Sequence, residues 1–291
     1  IVNADGRIVA VLLGRPDGDD WDDVVAEMAR VMDGVRRRGV ARGVFKSKLR
    51  RHRRGNFFKL ADGYSLGGGQ QVKPGNLAHS KEYRKLLQIL RLNHSIRRIA
   101  GFQSSGLARY LPKLYAYYAS VFKGLFERQP ELEQIFSNSI FPSTTYNLGP
   151  DVFTAEHLDG HNTPYGMCGL TSGGKYDHKT GGHVYLKQLK LVLEFPSGSS
   201  ALILSAACEH GNTPIQAGET RYSMTQYAAG ELFRWVTYGY QTAKSLLAQV
   251  DGEAKKQLLD GEPGERAAWA IGLLSKADEL EADRRAVFGK Y

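Results

Sequence analysis

Residues 156–162 read EHLDGHN, which sets two histidines and an aspartate within five positions. Imidazole and carboxylate are the donors that hold divalent first-row metals. A His-x-Asp triplet arises by chance often enough that it decides nothing alone. Its surroundings carry more. His157 and Asp159 are spaced i and i+2, so near a strand end both side chains leave the same face and can converge on one ion. A third ligand has to come from a later strand at the same barrel mouth, and His210 stands just after the apolar run ALILSA. Two histidines and one carboxylate make the facial triad of non-haem Fe(II), which leaves positions open for a bidentate cosubstrate and dioxygen. Beyond His210 comes the triplet RYS, where Arg221 and Ser223 again share a strand face. A cation there is the counter-charge for a distal carboxylate.

The remaining candidates weigh less. His161 lies i+4 from His157 but falls in the turn GHNTP, so a solvent-facing role is expected. His178 and His183 border KTGGH and read as turn or strand-edge residues. Asn162 either donates to a substrate base or caps its turn. Cys208 reads as a small core residue, since a thiolate favours zinc or copper over an oxygenase iron. A zinc deaminase needs H-x-E with P-C-x-x-C, and neither is present. The glycine-dense stretch 63–76 has neither a GxGxxG nor a Walker Lys-Ser/Thr, which makes nucleotide binding a weak reading.

The elements that must hold these residues follow from pattern. From residue 141 onward short β-like runs succeed one another: STTYNL, VFTAEHLD, YGMCGLTS, GHVYLKQL, KLVLEF, SALILSA and RYSMTQYA. Gly, Pro, Asn and Asp separate them, as in antiparallel strands of a barrel or sandwich. The expected fold class is α+β, with a double-sheet jelly roll at 141–241. A mainly helical region precedes it at 1–140, and helices follow at 242–291. In the front region RIVAVLLG reads as a buried strand, and helical spacing covers 19–35, 80–92 and 111–128. At the back, helices are expected over 243–259 and 265–287.

Composition bounds the partners. The 291 residues carry a formal charge of +9, which favours an anionic partner. Between Asp33 and Asp62 the chain holds 11 Lys or Arg and no acid. Phe45, Phe57 and Phe58 interleave with that run, as aromatics do where bases are stacked. Arg50, Arg51, Arg53 and Arg54 are its densest part and the expected phosphate contacts. No apolar run is long enough for a membrane span, and the opening lacks the pattern of a signal peptide. Two cysteines without a CxxC fit a reducing compartment, and a nuclear location is expected.

In this order, HLD, a distant His and RxS resemble the Fe(II)/2-oxoglutarate-dependent dioxygenases. More narrowly, GGGQ, YNLGP, HLDGHN, GGH, LEFPSGSS, HGNTP and RYSMTQYAAGELFRW resemble the fungal branch of the TET/JBP family, over roughly residues 5–241. The cysteine-rich zinc module and long barrel insert of animal members have no counterpart in these residues. The resemblance implies a double-stranded β-helix and Fe(II) on His157, Asp159 and His210. It also implies 2-oxoglutarate held by Arg221 and Ser223, with Asn147 as a further contact to cosubstrate or active site. The implied substrate is a methylated base in DNA, either 5-methylcytosine or N6-methyladenine, flipped out of the duplex. Two alternatives use the same residues: a hydroxylase of a protein or small molecule, and a DNA-binding module with a vestigial triad.

Overall fold

The computed structural model describes residues 1–67, 72–249, 254 and 264–289. Its strands in chain order are β1 (Ala10–Gly14), β2 (Arg51–His52), β3 (Gly55–Asn56), β4 (Lys59–Ser65), β5 (Gly75–Asn76), β6 (Ser143–Asn147), β7 (Cys168–Lys175), β8 (Val184–Leu186), β9 (Leu191–Leu193), β10 (Ser200–Ile203), β11 (His210–Asn212) and β12 (Thr220–Tyr227). The helices that cover them are α1 (Trp21–Ala41), α2 (Lys81–Leu92), α3 (His94–Tyr110), α4 (Pro112–Arg128), α5 (Gly230–Thr237) and α6 (Ala243–Leu247). Among the described residues, seven strands form one antiparallel sheet in the order β1-β10-β7-β12-β6-β4-β5, and β11-β8-β9 form a second. This is a jelly roll, α+β in class, with strands from the front and the middle of the chain in one sheet.

Register decides which residues meet. Ser223 pairs with Asn147 and with Ser172, and Asn147 pairs with Lys59. Because successive side chains point to opposite faces, Arg221, Ser223, Thr225 and Tyr227 line the interior between the sheets. Tyr222 and Met224 turn the other way, into a core with Met28, Met32, Leu90 and Ile99 of the helices. The interior holds a smaller apolar cluster that includes Cys168, Val184, Ile203 and Cys208. Helix α1 can lie on the sheet because β7 offers glycine: a Cβ added to Gly173 would stand 2.4 Å from Met28 Cε.

Several sequence expectations change here. The run VFTAEHLD is not a strand. Its backbone is shared between two partners, since Ala155 N–H donates to Arg54 C=O at 2.8 Å and Asn212 N–H donates to Thr154 C=O at 3.0 Å. Neither partner runs alongside it long enough to form a ladder. Helix α1 ends at Ala41 rather than at 35, because Asp33 pairs with Arg36 at 2.6 Å and Arg37 at 2.5 Å. Those pairs neutralise the first turn of the basic run. Phe45, Phe57 and Phe58 are 4%, 2% and 6% exposed, so they are core residues and not stacking platforms. Strand β4 and helix α3 were not anticipated. The helix expected over 265–287 is two, Glu265–Gly272 and Leu280–Phe288, because the intervening chain crosses the N-terminal segment, where Ile8 N–H donates to Ser275 C=O at 3.0 Å. The residues of GGGQ beyond Gly67, and most of the expected 243–259 helix after Leu247, lie outside the described residues. No helix among the described residues is long and apolar enough to cross a membrane.

Candidate active site

His157 and His210 face each other through an isolated antiparallel bridge, each N–H donating to the other's C=O at 3.0 Å. That pairing sets the ring centroids 4.4 Å apart. Asp159 is anchored separately, its N–H donating to Ser205 C=O at 2.9 Å. Its carboxylate then lies 3.6 Å from His157 Nε2 and 3.9 Å from His210 Nε2. One ligand atom from each of the three lies within 4.8 Å of the others, the one such group of His, Cys, Asp or Glu among the described residues.

The protons are placed by the backbone. His157 Nδ1 is 2.8 Å from Ala155 C=O, and His210 Nδ1 is 2.9 Å from Cys208 C=O. A carbonyl only accepts, so both rings carry their proton on Nδ1 and turn the Nε2 lone pair toward Asp159. Burial, and then the neighbouring His210, push His157 down to about 4. It is therefore the neutral imidazole that a metal requires.

Asp159 has two further neighbours. Asn162 Nδ2 reaches its carboxylate at 3.4 Å and Ser205 Oγ at 3.2 Å. Asn162 N–H closes the turn on Asp159 C=O at 2.8 Å. Its side-chain amide orients the carboxylate, and Asn162 also lines the cavity. Arg54 is the second neighbour, with its guanidinium directly on Asp159 Oδ1. Expected to face phosphate, it is turned inward. The β2–β3 hairpin is pressed onto the 153–155 backbone so closely that a Cβ on Gly55 would stand 2.3 Å from Phe153 O.

Arg221 is the most telling side chain. It is 2% exposed, and among the described residues no carboxylate pairs with it. Its Nη1 donates to Val152 C=O at 3.3 Å and its Nε has no partner. Burial depresses its pKa, with Tyr176 partly opposing that. A buried guanidinium without an anion is costly unless one is supplied from outside. Ser223 Oγ, beside it on the strand face, accepts from Asn147 Nδ2 at 2.9 Å. The triad, Arg221, Ser223 and Asn147 all line one cavity of about 450 Å³.

The tip of the β2–β3 hairpin stands at that cavity, contributing His52, Arg53 and Arg54 to its wall. Arg51 and Arg53 are exposed. Arg50 is tied down, 3.8 Å from Asp151 and over the Phe58 ring at 5.9 Å. Loss of hydration, then Arg54 and Arg53, lower the Lys59 ammonium, which marks how much positive charge gathers here. His161 is exposed at the rim, His178 sits 3.3 Å from Glu194, and His183 is bonded to Thr213, all away from the triad ligands. Cys208 is buried in the interior apolar cluster.

The sequence reading passed over Asn212. It is 3% exposed, donates to Val152 C=O at 3.3 Å, and accepts from Thr154 N–H at 2.9 Å. It staples the segment carrying His157 to β11. The signal was present, because Asn212 repeats the i, i+2 spacing from His210 that links His157 to Asp159.

The donor set fits the group it implies. Two imidazoles and a carboxylate suit Fe(II), and the uncompensated Arg221 suits the far carboxylate of 2-oxoglutarate. No family model matches the chain, and no curated protein does. Solved structures do align with it. NgTET1 in complex with 5mC DNA aligns at a TM-score of 0.53 with 16% identity, over 78% of this chain and 75% of that one. AviO1 from Streptomyces viridochromogenes Tue57 aligns at 0.35 with 12% identity, over 77% and 91%. An oxidoreductase of the 2OG-Fe(II) oxygenase family from Burkholderia pseudomallei aligns at 0.32 with 16% identity, over 61% and 71%. At these identities the likeness to NgTET1 is one of fold.

Proposed function

We propose that this chain is an Fe(II)/2-oxoglutarate-dependent dioxygenase that oxidises the methyl group of a methylated base in DNA. The single observation that carries the dioxygenase reading is Arg221, a buried cation without an anion, facing the same cavity as the His157, Asp159 and His210 trio. Bound iron with 2-oxoglutarate would supply oxidative decarboxylation to succinate coupled to hydroxylation of a nearby carbon. The protein's own part is positional. Ala155 and Cys208 carbonyls keep both imidazoles in the ligand tautomer, Asn162 orients Asp159, and Arg221 with Ser223 receives the cosubstrate's far end.

DNA as substrate is supported by the basic hairpin at the cavity mouth, by the motif resemblance to the fungal TET/JBP branch, and by the fold shared with NgTET1, itself solved with 5mC DNA. A cavity sunk between two sheets does not reach a stacked base, so the base must leave the duplex while Arg51 and Arg53 grip flanking phosphates. The test is succinate release from 2-oxoglutarate in the presence of duplexes bearing 5-methylcytosine, N6-methyladenine or neither, with nucleosides read by mass spectrometry. Hydroxymethylcytosine marks oxidation of a carbon-bound methyl. Formaldehyde with restored adenine marks N-demethylation. Succinate release that ignores all three duplexes would leave the oxygenase chemistry and remove DNA as its substrate.

A further inference from the structure

A flipped nucleotide stays joined to its neighbours, so the rim of the cavity must also receive the backbone that leads away from it. The β2–β3 hairpin is one part of that rim. A second cleft, of about 400 Å³, opens beside the cavity and shares Leu66, Gly67 and His161 with it. No hairpin residue lines it. Its other wall is the corner between α5 and α6, with Arg234, Trp235, Gln241, Thr242 and Lys244. That corner is tied to the loop carrying Asp159: Gly230 N–H donates to His161 C=O at 2.8 Å, and Asn162 forms a bridge with Ala229. Gly67, at φ +86°, comes so near α5 that an added Cβ would stand 3.3 Å from Glu231 Cγ. The cleft and the cavity are thereby held side by side.

The polar groups of this cleft are unevenly satisfied. Its acceptors are taken. Gln241 Oε1 receives Gln249 Nε2 at 2.8 Å and Ser245 Oγ at 3.1 Å. Thr242 Oγ1 caps α6 by accepting from Ser245 N–H at 3.1 Å, and the Glu231 carboxylate is held by Arg234. The donors are left over. The Trp235 indole N–H is buried without an acceptor, and an indole nitrogen can only donate. Among the described residues the Gln241 amide nitrogen and the Thr242 hydroxyl proton meet no acceptor, and the exposed Lys244 has no carboxylate partner. Uncharged donors beside an unpaired cation fit a group that only accepts and carries negative charge.

We propose that this cleft is a phosphodiester subsite, holding the backbone of the substrate strand next to the flipped nucleotide. Trp235 and Gln241 donate to the phosphate oxygens, and Lys244 supplies the counter-charge. Contacts of this kind fix register and carry no sequence information, so the cleft positions the strand and does not choose the base. The inference rests on the DNA reading of the cavity and deepens it by naming where the strand leaves the site.

The experiment measures binding of iron-loaded protein to duplexes bearing one 5-methylcytosine or one N6-methyladenine. The phosphodiesters on either side of the methylated nucleotide are replaced one at a time by uncharged methylphosphonates. Trp235→Phe, which removes the N–H and keeps an aromatic ring, should weaken the unmodified duplex about tenfold, the loss of one hydrogen bond to a charged group. Lys244→Gln should weaken it about threefold and lower the salt slope by about 0.9. At one linkage the methylphosphonate should weaken wild type yet add nothing in either variant, because the same contact cannot be lost twice. Lys244 is exposed, so its variant serves if Trp235→Phe folds poorly. Penalties that add at every linkage in both variants would overturn the proposal, as would an affinity unchanged in both. Wild type that oxidises a methylated duplex while both variants bind it normally removes the cleft alone. Wild type that neither binds nor oxidises either duplex brings down the DNA reading itself, and this inference with it.

Discussion

Alternate residues of the same strand β12 enter two environments that treat buried polar groups differently. On the helix-covered face, Gln226 is fully buried and every polar atom it has is used: its amide donates to Gln103 Oε1 at 2.9 Å and Ala100 C=O at 3.0 Å, and its oxygen accepts from Ser139 at 2.8 Å. On the interior face Arg221 is almost as buried and keeps a full charge without an anion. A closed network contributes to stability and binds nothing. An open one costs stability and is worth keeping where a ligand completes it.

The largest effect is expected at the centre of the open face. Asp159→Ala or His210→Ala should abolish turnover and strip iron, as read by metal analysis of the purified protein. Retained iron in either variant would separate the trio from metal binding. Next comes Arg221→Met, expected to weaken 2-oxoglutarate about 100-fold, since a charge-assisted pair is lost. The same variant should melt no lower than wild type, because an uncompensated buried cation has been replaced by an apolar chain of similar length. A clear drop in its melting temperature would show that Arg221 is already satisfied within the fold.

The opposite pattern is expected one residue type away, on the helix face. Gln226→Ala should destabilise the protein by about 2 kcal/mol, by leaving the buried Gln103 Oε1 without a donor and the Ser139 hydroxyl without an acceptor, as measured by chemical denaturation. Cosubstrate affinity should be unchanged. The smallest effect belongs to the hairpin. Arg51→Gln with Arg53→Gln should reduce the slope of log affinity for duplex DNA against log salt by about 0.9 per lost phosphate contact. Iron content and 2-oxoglutarate binding should not move. An unaltered slope would take the hairpin out of the DNA interface, and Arg54→Gln is not an equivalent probe because that side chain rests on Asp159.

How far the sequence could be read depends on the range of the determinants. Asp159 two residues from His157 was legible from residue type and spacing, on a segment that is not a strand, whereas Ser223 two from Arg221 was legible because a period of two is a local property of extended backbone. The strands β6, β7, β10 and β12 were legible for the same reason. Strand β4 was not, because Lys59–Ser65 reads KLADGYS, with a charged residue at each of two positions and no clean alternation. Its buried Asp62 is acceptable only because Arg91, from α2, reaches it with two nitrogens at 2.6 and 2.5 Å.

The basic run shows the same division. Charge density is a property of composition, so an electropositive segment was evident from the sequence alone, whereas the direction of each side chain was not. Phe45, Phe57 and Phe58 alternate with arginine as they would on a nucleic-acid surface, yet Phe45 and Phe58 fill the core beside Leu60 and Tyr83, and Phe57 is buried against His52 at the cavity wall. Arg54 turns to Asp159, a partner 105 residues away. Local spacing therefore paired Asp159 with His157 and Ser223 with Arg221 as candidates for one site. Only the packed fold decided that His157 meets His210 across a two-residue bridge and that Arg54 points inward, because those meetings depend on long-range register and close approach at glycine, which no short window of residues contains.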